Sequence, residues 1–185
     1  MMTLTVTGGS LRGRKIKTVP ARVTRYTPEK VRLALFSVIQ TVTDIEECSF
    51  CDLCTGSGIM AIEAVSRGAK RCECVDVSHL SIATVIDNAK QLGIEDKMGI
   101  HCKNVLSFVK KTSIPHDIVF IDPPFQKEIA EKLINSFSTF PEIVKENGLL
   151  VIEYNGTVKD IEGFSKTGTY RYGTVFLNVY TRKIS

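Results

Sequence analysis

Residue types suited to chemistry gather at three places: Asp52-Leu53-Cys54-Thr55-Gly56-Ser57-Gly58, Asp76-Val77 and Asp122-Pro123-Pro124-Phe125. In the last, a carboxylate precedes two prolines that leave the backbone little freedom. The Asp122 side chain and the Pro123 carbonyl then form a fixed pair of hydrogen-bond acceptors. Such a pair suits an exocyclic base amine, whose lone pair is delocalised into its ring. Holding both amine hydrogens turns the lone pair toward an electrophile, so the work is positioning, with no metal and no covalent enzyme intermediate. Phe125 offers a face on which an extruded base stacks, worth about 1–3 kcal/mol. A bare Asp-Pro-Pro also occurs as a plain turn, so its meaning depends on where the fold delivers it.

The glycine stretch has two readings. Gly56-x-Gly58-x-x-Ala61 fits the dinucleotide fingerprint of a nicotinamide-dependent oxidoreductase. It equally fits a loop around S-adenosylmethionine, and Asp52 separates the two. A carboxylate there helps a ligand with an ammonium and a sulfonium, whereas beside a pyrophosphate it costs electrostatic energy. Asp52 as a loop-capping residue is the plainer alternative. Eighteen residues after Gly58, Asp76 ends a strand where it can accept from two ribose hydroxyls. Asn104 follows the next strand, with an oxygen able to accept from an adenine amine. The predicted cofactor set is Asp52, Thr55, Gly56, Ser57, Gly58, Asp76, Val77, Asn104, Val105 and Asp122.

These groups need a scaffold that brings strand ends together. The patterning predicts strands at 48–53, 71–76, 98–102, 117–121 and 148–153, with helices at 57–67, 79–92 and 104–112 and helical segments across 126–146. Short apolar strands alternating with helices specify an α/β doubly wound parallel sheet. Residues 164–170 and 174–181 read as a closing antiparallel hairpin around Tyr172-Gly173. Ahead of all this, 4–7 and 15–19 read as a small β-hairpin, and a helix begins with Thr27 as cap and Pro28 at its first position. The expected division is therefore an N-terminal hairpin and helix extension over 1–42 and a main domain over 43–185.

Composition narrows the class further. With 185 residues, 43% of them hydrophobic, the chain can bury one sizeable core. Residues 1–32 carry eight basic side chains against one acidic, while 33–158 carry eleven against seventeen, so a basic arm is attached to an acidic body. No apolar run approaches the roughly 18 residues of a membrane span, and 1–19 lacks a signal-peptide pattern, so a cytoplasmic location is expected. Cys48-x-x-Cys51-x-x-Cys54 has metal-ligand spacing, but on a strand Cys48 and Cys54 would lie roughly 20 Å apart. Reduced, core-filling cysteines are the expectation. His79, His101 and His116 read as surface or satisfied polar residues, and Tyr172 and Phe176 as packing.

Taken together the motifs resemble the RsmD-type 16S rRNA guanine-N2 methyltransferases. The likeness covers Gly8-Gly9-x-x-Arg12-Gly13-Arg14, Arg25-Tyr26-Thr27-Pro28-Glu29-Lys30-Val31-Arg32 before Leu35-Phe36, and the glycine loop. It continues through Glu63-Ala64-x-Ser66-Arg67-Gly68-Ala69, Asp76, Asp122-Pro123-Pro124-Phe125 and Tyr172-Gly173-Thr174. It implies a seven-stranded class I, Rossmann-like sheet, S-adenosylmethionine as methyl donor, and a guanine amine in 16S rRNA or a small-subunit assembly intermediate as acceptor. Asp122, Pro123 and Phe125 would be catalytic in a monomeric enzyme. Under this resemblance Arg12, Arg14, Lys15, Arg25, Lys30 and Arg32, with Lys17 and Arg22, would contact RNA phosphates, which position a substrate without reading its sequence. Departures from the family pattern are Tyr26 for a proline, Leu33 for an acidic residue, Cys54-Thr55 for Phe-Ala and Asn104 for an aspartate. The nearest rival is an adenine-N6 methyltransferase acting on DNA or another RNA. A non-catalytic RNA-binding factor would keep the fold but has no use for an intact Asp122 tetrad.

Overall fold

The computed structural model describes residues 3–20, 26–124, 126–156 and 158–184. A seven-stranded sheet forms the centre. Strands β3 (Ser49–Leu53), β4 (Arg71–Asp76), β5 (Met98–Cys102), β6 (His116–Ile121) and β7 (Val144–Tyr154) run parallel; β8 (Phe164–Tyr172) and β9 (Val175–Arg182) close one edge. Their spatial order is β5-β4-β3-β6-β7-β9-β8, with β9 antiparallel to both β7 and β8. The central strands carry almost unbroken apolar runs because both faces are covered. On one side lie α1 (Glu29–Val42), α2 (Ile59–Ser66) and α3 (His79–Leu92); on the other lie α4 (Val105–Lys111) and α5 (Lys127–Thr139).

All eight residues of α2 are buried, which explains a helix that is apolar around its whole circumference. Its cover is the N-terminal extension: the two-stranded ribbon β1 (Thr3–Thr5) and β2 (Lys15–Lys17), together with α1. Val6, Ile16, Val31, Leu35 and Phe36 join the same core cluster as the sheet residues Phe50 and Phe120. Glu63, 0% exposed within this layer, is strongly held. Glu63 accepts from the Thr7 amide at 2.8 Å, the Thr7 hydroxyl at 2.9 Å and Arg32 Nε at 3.2 Å, and pairs with Arg67 as well. At Gly9 (φ 75°) the backbone passes so near α2 that an added Cβ would lie 1.7 Å from the Ser66 carbonyl oxygen. Only glycine satisfies both demands.

Two boundaries differ from the sequence reading. Thr27 does not cap α1; Pro28 occupies that position, and the Thr27 hydroxyl donates instead to Glu153 at 2.9 Å. Helix ends at Thr139, a 3₁₀ turn covers Pro141–Ile143, and β7 begins at Val144 rather than 148. The pairing shifts register between His116↔Val144 and Ile118↔Leu149, and Asn147 sits at φ 60°. That bulge gave the sequence the look of a break before the strand.

Candidate active site

Register sets the site. Leu53 pairs with Val75 and with Ile121, and Ile121 pairs with Ile152. One residue further along these four strands stand Asp76, Cys54, Asp122 and Glu153. At an interstrand spacing of about 4.8 Å they form a row along the carboxyl edge. Strand order reverses between β3 and β6, which is where open α/β sheets take ligands.

A cavity of about 600 Å3 opens beside the row, within the size range of small-molecule sites. Asp76, Val77, Asn104, Val105, Asp122 and Pro123 all line it, and Leu106, Ile129 and Leu133 give it apolar walls. Asp76 is oriented by two backbone amides, Gly56 N at 2.9 Å and Ser78 N at 2.8 Å. Its remaining lone pairs face the cavity's polar rim. Asn104 caps α4, accepting from Ser107 N at 3.1 Å, and retains one acceptor site. The electrostatics are negative: burial, then Asp76 and Asp122, push the Cys54 thiol far up. A cation is the ligand such a rim favours.

Thr55, Gly56 and Ser57 line a neighbouring crevice of only about 20 Å3. Asp52 sits under them, 1% exposed, accepting from the Thr55 hydroxyl at 2.6 Å and Ala61 N at 3.3 Å. It is thus the loop cap that was the plainer alternative, and its charge acts on the cavity from below. Burial raises its pKa to about 7 against those two hydrogen bonds. Gly58 (φ 79°) caps α2 where an added Cβ would press on Val85 at 3.1 Å, so its role is packing of α2 against α3.

A third cavity, about 210 Å3, lies on the other side of the tetrad; Tyr26, Asp122, Pro123, Glu153 and Thr174 are among its walls. Asp122 and Pro123 therefore border both this cavity and the 600 Å3 one. A donor in one and an acceptor group in the other would meet at these two residues.

Comparison with known proteins fits this geometry. The family model described as Conserved hypothetical protein 95 matches residues 4–181. Ribosomal RNA small subunit methyltransferase D of Buchnera aphidicola is 32% identical over 80% of this chain and 76% of its own length. Its Escherichia coli K12 counterpart is 30% identical over 80% and 70%. The chain belongs to the RsmD family. Among solved structures, yhhF from Escherichia coli superposes with a TM-score of 0.87 at 26% identity, covering 100% of both chains. An RNA methyltransferase from Salinibacter ruber, solved with S-adenosyl-L-homocysteine, shares the fold at a TM-score of 0.67 and 15% identity, covering 87% of this chain and 95% of its own.

Within this RsmD-family chain the predicted basic arm divides. Arg12, Arg14, Lys15 and Lys30 are exposed. Arg32 is not: it is 1% exposed and gives its guanidinium to Glu63, to the Thr27 carbonyl at 2.8 Å and to the Thr5 carbonyl at 2.7 Å. Arg32 is a correction to the sequence reading, a lock between extension and α2 and not a phosphate contact. Phe125, Arg22 and Arg25 lie outside the described residues. Cys51, Cys72 and Cys74 fill the core, whereas Cys102 is exposed. His116 departs from the expected satisfied histidine, being buried with neither ring nitrogen hydrogen-bonded. Sequence reasoning missed Glu153 and Tyr26. Glu153 could have been found by the rule that picked Asp76 and Asp122, a carboxylate at the carboxyl end of a strand.

Proposed function

We propose that this chain transfers a methyl group from S-adenosylmethionine to the N2 amine of a guanine in 16S rRNA, free or in a small-subunit assembly intermediate, acting as a cytoplasmic monomer. The single observation that carries the reading is the placement of Asp122 and Pro123 between a cavity of cofactor size and a cavity of base size. The residues present suit the cofactor: carboxylates at Asp76, Asp122 and, from below, Asp52 favour a ligand with two positive centres. When bound, it supplies an activated methyl on a sulfonium. Asp76 takes the ribose hydroxyls, Asn104 the adenine amine, and Val77 and Val105 pack on the rings. Asp122 and the Pro123 carbonyl hold the acceptor amine's two hydrogens, so its lone pair points along the line of displacement. The proton leaves through Asp122 to solvent once the nitrogen has been alkylated. Phe125 is proposed as the stacking face for the base. The extension over 1–42 contributes RNA phosphate contacts through Arg12, Arg14, Lys15, Arg25 and Lys30, and 43–185 is the methyltransferase domain.

The test is methyl transfer from labelled S-adenosylmethionine to small-subunit RNA and to particles from a strain lacking the enzyme, with nucleoside analysis. N2-methylguanosine, lost with Asp122→Ala while cofactor affinity changes less than tenfold, is the expected result. N6-methyladenosine as the product would replace this reading with the rival amino-methyltransferase.

A further inference from the structure

Glu153 is a buried carboxylate with a place in the base-sized cavity. It is 5% exposed, it accepts from the Thr27 hydroxyl, and burial raises its pKa to about 7 against that bond. It stands next to Asp122 in the row, because Ile121 and Ile152 are paired immediately before them. Glu153 lies on the α1 side of the sheet, held by Thr27 just before that helix. The same cavity holds the Tyr26 hydroxyl, buried without a hydrogen-bond partner. A buried carboxylate that among the described residues accepts from one neutral donor costs stability, and so does an orphaned hydroxyl.

What would satisfy them is a ligand edge that offers donors to Glu153 and an acceptor to Tyr26. Guanine presents N1–H beside N2–H on one edge, followed by the O6 acceptor. Two adjacent carboxylates match the first two groups, and a hydroxyl matches the third. Adenine turned to place its amine at Asp122 would point the bare N1 lone pair at Glu153, acceptor against acceptor.

Resting on the guanine reading above, we infer that Glu153 is the specificity residue of this enzyme: it accepts N1–H of the target guanine while Asp122 and Pro123 hold N2, and Tyr26 donates to O6. As a carboxylate, Glu153 selects guanine by a hydrogen bond that only a base protonated at N1 can complete. A site built around such a bond rejects analogues lacking the donor by large factors, because its own buried group is left unpaired.

The discriminating base is 2-aminopurine, which keeps the 2-amine but has an unprotonated N1 and no O6. After the modified nucleotide is mapped, small-subunit RNA is assembled by splinted ligation with either guanine or 2-aminopurine there. Wild-type enzyme is expected to methylate guanine at least ~100-fold faster in kcat/KM. Glu153→Gln, whose amide can present its oxygen to a protonated N1 or its NH2 to a bare one, is expected to bring the two bases within ~10-fold of each other. Cofactor affinity of the variant by calorimetry should stay near wild type. Wild-type enzyme that accepts 2-aminopurine as readily as guanine overturns the inference whatever the variant does, and so does a guanine preference unchanged in a folded Glu153→Gln. Both results leave N2 methylation standing. Methylated adenine from the wild type would instead remove the guanine reading and this inference with it.

Discussion

Arg32 separates a structural arginine from a nucleic-acid arginine within one basic segment, and Arg32→Met tests the distinction. The substitution keeps the aliphatic stem but removes three contacts: one to Glu63 and two to the carbonyls of Thr27 and Thr5. Glu63 retains Arg67 and both Thr7 donors, so it is not abandoned. The loss is thus one charge-assisted bond and two carbonyls left without their donor, about 3 kcal/mol, at the low end for breaking a buried pair. For a chain of this size that lowers Tm by about 6–12 °C. Glu63→Ala leaves Arg32 and Arg67 both uncompensated and should cost closer to 5 kcal/mol, the upper part of the range for such breaks. RNA binding gives the contrast. Arg12→Gln should lower the slope of log K against log salt by about 0.7–0.9, with stability within about 0.5 kcal/mol of wild type. Arg32→Met should leave that slope intact in the folded temperature range. An Arg32→Met protein that melts like wild type but loses one unit of salt slope would refute the assignment.

Three further results are expected. Asp52 has a folded pKa of about 7, above its unfolded value of 3.8, so its contribution to stability is complete below about pH 4 and is lost as pH rises to about 7. Asp52→Asn should remove up to about 1.4 kcal/mol per pH unit of that decline, seen as a wild-type-minus-variant difference in denaturant midpoints that grows across the window; a constant difference would mean that Asp52 is ionised throughout. A cation bound above Asp52 favours its charged form, so S-adenosylmethionine binding near pH 7 should release protons, read as buffer-dependent calorimetric enthalpies that largely vanish in Asp52→Asn. Gly9→Ala should destabilise by about 2 kcal/mol or more, through the blocked approach to the Ser66 carbonyl and the positive φ together; a variant as stable as wild type would show that the ribbon docks elsewhere.

The alternation of apolar strands and helices was legible because each central strand is buried on both faces and α2, α3 and α4 open at Gly58, Ser78 and Asn104. Asp76, Asn104 and Asp122 were legible for a related reason: each lies within two residues of the end of its strand, so its position at the sheet edge follows from topology. The errors arose where tertiary contacts outbid local preference. Thr27 has the chemistry of a helix cap, but its hydroxyl is drawn to Glu153, 126 residues away in sequence. Arg32 belongs to a basic run whose average charge suggests solvent, yet helical phase turns it toward Glu63. Charge counting cannot see phase, and the (i, i+3, i+4) spacing that places Val31, Leu35 and Phe36 in the core places Arg32 there too.

Glu153 was missed because it lies within β7, one residue before the strand ends at Tyr154, and the Asn155-Gly156 that follows reads as a plain turn. Its importance comes from register, which sequence does not display. Once Ile121 and Ile152 are paired, four neighbouring strand ends carry Asp76, Cys54, Asp122 and Glu153 in one row, and Asp52 lies just behind. Several carboxylates at one sheet edge repel each other and lose hydration. A ligand with positive centres on one side of Asp122 and paired N–H donors on the other would remove both penalties together. The two cavities that share Asp122 and Pro123 are thus complementary in charge to the two substrates of the proposed reaction, and the same repulsion that weakens the empty fold orients each substrate when it enters.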